Sequence, residues 1–89
     1  MTIEQRARIA AQQVMEETGV AVYVDYNVMT QAVSFSVKDV TRPVFDQDVI
    51  ILRITEEGYA RHDADAYVHR ELVGAIRGRL PAAIRGDAL

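Results

Sequence analysis

At 89 residues, with 49% hydrophobic content and a formal charge of −3, the chain is long enough for one small folded domain and lacks a strongly basic footprint for nucleic acid. It contains no cysteine, which excludes disulfides and thiol catalysis and argues against a zinc fold, since structural zinc normally takes four ligands that often include thiolates. Its longest apolar run, Val49 to Leu52, is far too short to span a membrane, and the charged N-terminus reads as no signal peptide, so a cytoplasmic protein is expected.

A domain of this size buries only about 60–65% of its unfolded surface, so its core is thin and dimerisation is one way to complete it. Nine of the ten basic residues are arginine and alanine is abundant, a composition that points to a GC-rich bacterial or phage origin. Charge is unevenly spread. Residues 1–65 carry six Lys or Arg against eleven Asp or Glu, whereas residues 66–89 carry four Arg against Glu71 and Asp87.

In chain order, residues 3–18 read as a first helix. Thr2 and Gln5 have the spacing of a capping box, and Gly19 supplies the stop because it tolerates positive φ. Ile3, Ala7, Ala10, Ala11, Val14 and Met15 fall on one face, and the small alanines imply close approach to whatever that face covers. Residues 20–26 alternate as a strand with Val20, Val22, Val24 and Tyr26 on one side and Ala21, Tyr23 and Asp25 on the other. Asn27 to Gln31 make a loop, and residues 32–38 form a second strand with Val33, Phe35 and Val37 inward; the two strands form a hairpin.

Residues 39–48 contain Arg42-Pro43, which breaks any ladder, and read as a loop. Residues 49–54 are a third strand. Simple alternation turns Ile50, Leu52 and Ile54 towards the helices and Val49 and Ile51 outward beside Tyr23. Residues 55–58 are a turn, and residues 59–62 read as a loop or short strand.

Residues 61–80 read as the long helix around which the chain is organised. Val68, Leu72, Val73, Ala75, Ile76 and Leu80 form an apolar stripe, with Tyr67, Arg70, Glu71, Gly74, Arg77 and Gly78 opposite. Asp63 is the expected N-cap, Asp65 suits the first turn, and Pro81 ends the helix. A further turn reaches Ile84, with a frayed tail over residues 86–89. Asp65 and His69 fall inside the stripe, four residues apart, with His62 on the same side. They form a candidate polar site, because a carboxylate beside an imidazole can fix a tautomer or supply metal ligands. The ordinary alternative is structural: Asp65 serving the first helical turn and His69 bonded to it or to backbone.

The expected fold is therefore α+β: one domain over residues 1–89 with element order α-β-β-β-α, a three-stranded antiparallel meander with both helices on one face. This order resembles that of double-stranded-RNA-binding domains, with Gly58, Arg61, His62 and Ala64 in loosely similar places. Asp63 and Asp65 have the wrong sign for phosphate, lysines are missing, and topology does not carry function, so no family is assigned.

Three functional classes follow. The expected one is a small non-enzymatic interaction or regulatory protein acting through protein–protein contacts as a homodimer, in which Tyr23, Val49 and Ile51 form one surface and Gly74 and Gly78 allow close approach at another. The second is a nucleic-acid module using Arg70, Arg77, Arg79 and Arg85, which would equally suit an acidic partner. The third is an enzyme built on Asp65 and His69, although no nucleophile elbow, phosphate loop or metal motif accompanies them. No catalytic residue, metal ligand or cofactor is assigned.

Overall fold

The computed structural model describes residues 1–78. Helix α1 (Ile3–Thr18) leads into strands β1 (Tyr23–Asn27), β2 (Ala32–Lys38) and β3 (Asp48–Thr55); a single 3-10 turn, Val44–Asp46, lies in the β2–β3 loop. A short helix α2 (Glu56–Tyr59) and the long helix α3 (Ala64–Gly78) follow. The strands make an antiparallel sheet in the order β1-β2-β3, and α1 and α3 pack on it and on each other. The α+β architecture expected from the sequence is the one observed. The stop at Pro81, the turn to Ile84 and the tail lie outside the described residues.

Helix α1 starts and stops as its sequence requires. The Gln5 N–H donates to Thr2 Oγ1 at 3.1 Å and the Thr2 N–H to Gln5 Oε1 at 2.8 Å, which satisfies two otherwise free donors of the first turn. Gly19 ends the helix at φ 76°, where a side chain would be strained. Ala7, Ala10, Ala11 and Val14 are buried, and their small volume lets the α1 backbone come close to β1, β2 and α3.

The core is centred on β2, whose Val33, Phe35 and Val37 are all fully buried. Val20 and Val22 are also buried although β1 begins only at Tyr23, so the stretch before the ladder already packs on the core. From α3, Val68, Leu72 and Ile76 complete the interior, as the apolar stripe predicts. Residues 59–62 are not a strand. Thr55 Oγ1 accepts from the Gly58 N–H at 3.1 Å and caps the four-residue α2, which carries Tyr59 into the core.

Strand β3 departs from simple alternation. Phe35 pairs with Leu52 but Ser36 pairs with Ile50, so Ile51 is an extra residue in a β-bulge. The insertion reverses the faces on one side of it. Val49 pairs with buried Val37 and, with Ile51 and Leu52, packs against the core, while Ile50 pairs with Ser36 and is turned outward at 64% exposure. The expected outward placement of Val49 and Ile51 is thus corrected: Ile50 takes that place beside Tyr23, which is paired with the same Ser36.

Candidate interaction surface

Asp65 and His69 do not meet as their spacing suggests. Each turns to a charge on α1. Asp65 accepts from Arg6 Nε at 3.2 Å, and the same guanidinium donates to the Tyr59 carbonyl at 3.0 Å and stacks 4.8 Å from the Tyr59 ring centre. His69 Nε2 lies 2.7 Å from a Glu17 carboxylate oxygen. Arg77 also reaches Glu17, with Nη1 4.0 Å from its carboxylate and Nη2 3.5 Å from its carbonyl. These residues form a polar seam joining α1 to α3 at two points, and the pair expected within α3 is absent. His62 is exposed before α3 begins. Among the described residues, no three His, Asp or Glu side chains converge where a metal ion would sit.

Two buried polar atoms lie near this seam. The Tyr59 hydroxyl is buried with no hydrogen-bond partner, and burial, then the Asp65 charge, pushes its pKa from 10.0 up to about 12. The Asp63 Oδ1 atom is likewise buried without a hydrogen bond, but Arg61 Nε lies 3.3 Å from it as an ion-pair partner. Asp63 does sit at the start of α3, where its carbonyl accepts from the Tyr67 N–H at 2.9 Å.

The other expected site residues fall in separate places. Arg70 sits over the Tyr67 ring at 5.8 Å, and Arg79 and Arg85 lie outside the described residues. Gly74 and Gly78 are exposed, with open space where a side chain would be, so they leave the outer face of α3 smooth.

The sheet surface remote from the helices is a different environment. Tyr23, Ser36 and Ile50 form a row across all three strands, and the next row ends in Lys38 and Asp48, which are ion-paired. Lys38 Nζ also lies 5.6 Å from the Tyr23 ring centre. Together with Asp25 and Ser34 these side chains outline a shallow concavity of about 440 Å³.

The β2–β3 loop leaves this surface at the Lys38–Asp48 end and is closed by its own bonds. The Asp39 N–H donates to the Gln47 carbonyl, Gln47 Nε2 to the Arg42 carbonyl, and Arg42 pairs with Asp46 at 2.9 Å. The Asp39 carboxylate accepts from the Thr41 hydroxyl and N–H, which hold its pKa below the usual value. This framework carries three apolar side chains in solvent: Val40, Val44 at 87% exposure and Phe45 at 93%. None of them is among the residues expected from the sequence to carry function. The available signal was an apolar Val-Phe pair directly after a proline, in a segment with no ladder to bury it.

Comparison of the chain with protein-family models, with curated proteins and with solved structures finds no match.

Proposed function

We propose that this chain is a non-enzymatic protein-contact module. It joins a second protein chain, in the first instance another copy of itself, through the β3 side of its sheet and the loop at residues 39–47. The observation that carries this reading is Phe45. Leaving a phenylalanine in water forgoes about 1.5–3 kcal/mol of burial, and here the loop's own hydrogen bonds hold the ring out. Aromatic anchors standing clear of a rigid frame are characteristic of interface centres.

The alternatives lose support at particular residues. Arg77 reaches Glu17 and Arg70 lies over Tyr67, so each of these arginines already has a partner within its own chain. Asp65 and His69 are held separately by α1, which removes the pair on which catalysis would rest.

Photo-crosslinking tests the reading. A benzoylphenylalanine at position 45 in the purified full-length chain is expected to give a covalent dimer, and the same group at Gln12, on the exposed side of α1, is not. Equal yields at both positions, or none at either, would overturn it.

A further inference from the structure

We infer that the second chain docks edge to edge, with β3 of one copy antiparallel to β3 of the other about a two-fold axis passing between Ile50 and Ile51. This rests on the protein-contact reading above and specifies its geometry. In the sheet order β1-β2-β3, strand β3 pairs with β2 alone, so its other edge presents backbone groups that a further strand can bond.

The bulge selects the register. Without it Asp48 and Arg53, five residues apart, would lie on opposite faces. With Ile51 inserted, both point outward, opposite Lys38 and Ser34 respectively. Antiparallel pairing about the stated axis then sets Asp48 against the partner's Arg53, and Arg53 against the partner's Asp48. Arg53 makes no ion pair among the described residues, so this contact gives its charge a partner. On the helix side the same register sets Val49 against the partner's Leu52. Those residues and Ile51 face the core yet are only partly buried, whereas Val33, Phe35 and Val37 of the neighbouring strand are fully buried. The core is open along β3, which is where a second β3 would cover it.

The loop fits the same arrangement. A hollow of about 260 Å³ lies at the far end of β3, lined by Ile54, Gly58, Ala64 and Tyr67 together with the polar Arg53, Thr55, Arg61 and Asp63. Because Asp48 is set against the partner's Arg53, the loop immediately before Asp48 is carried to the partner's hollow. Phe45 and Val44 are the apolar groups it brings. The contact is self-complementary, each copy supplying one loop and one hollow, as a closed two-fold interface requires.

Charge reversal tests the register on the full-length chain, with sedimentation velocity as the readout and circular dichroism as the check on folding. Arg53→Asp opposes two aspartates twice, and Asp48→Arg opposes two arginines twice; each is expected to raise the dimer dissociation constant about tenfold or more. Mixed in equal amounts, the two variants restore both opposite-charge pairs, and a heterodimer of wild-type affinity is expected. Phe45→Ser, whose side chain supports nothing within its own chain, is expected to weaken the dimer by about tenfold or more as well, and provides the test should Asp48→Arg fail to fold. A dimer weakened by Phe45→Ser but indifferent to Arg53→Asp and Asp48→Arg overturns the edge pairing and leaves the protein-contact reading standing. A wild-type chain that stays monomeric and gives no crosslink from position 45 overturns both.

Discussion

Tyr59 and Phe45 reverse the usual placement of their types. The Tyr59 hydroxyl is buried without a partner, which costs about 1–3 kcal/mol against a satisfied group, whereas Phe45 stands in water. Tyr59→Phe is therefore expected to leave thermal stability at neutral pH unchanged or to raise it. The alkaline limb gives a second check. The folded-state pKa of Tyr59 lies above the ordinary value, so its contribution to stability is fully present below pH 10 and is lost as the pH rises towards about 12. Melting curves over that window should fall more steeply for the wild type than for Tyr59→Phe; parallel curves would show that the hydroxyl is solvated. The two phenylalanines make a matching pair. Phe35→Ala should cost about 3–5 kcal/mol in urea unfolding, and Phe45→Ser at low concentration should fall within about 0.5 kcal/mol of wild type.

At the scale of elements, α1 depends on small residues and a glycine stop. Ala7 is fully buried where α1 meets its neighbours, so Ala7→Leu is expected to overpack the seam and cost about 1–3 kcal/mol. Gly19→Ala should cost about 1–2 kcal/mol through backbone strain alone, because no atom crowds the site. Both losses can be read as shifts in the denaturation midpoint, and a neutral result for either would contradict the packing described. These features could be read from the sequence because they are local: a capping box, a period of 3.6 and a glycine each report on their own helix.

The bulge in β3 could not be read in this way. Residues 49–52 are all apolar, so alternation carries no phase there, and an inserted residue leaves no mark. The Asp65–His69 expectation failed for a related reason. A helical projection places the two side chains within reach of each other, but it contains nothing of Arg6 and Glu17, which approach from another helix and offer opposite charges.

Over the whole molecule, one sheet face carries two helices and the other is half-polar, with an apolar loop at its end. The helix-covered side is completed on β2 and left open along β3. A chain of this size has little apolar surface to spare, and a loop that carries Val40, Val44 and Phe45 into solvent is hard to reconcile with a solitary monomer. The seam between α1 and α3 is made largely of exposed and part-exposed ion pairs, which contribute little individually, so the fold rests chiefly on its apolar core.

Self-association of this chain can be read from its mass in solution, with no substitution or label. Sedimentation velocity over a concentration series is expected to show a single boundary moving from the monomer mass at high dilution to twice that mass in the high micromolar range. A boundary that keeps the monomer mass throughout would contradict the account.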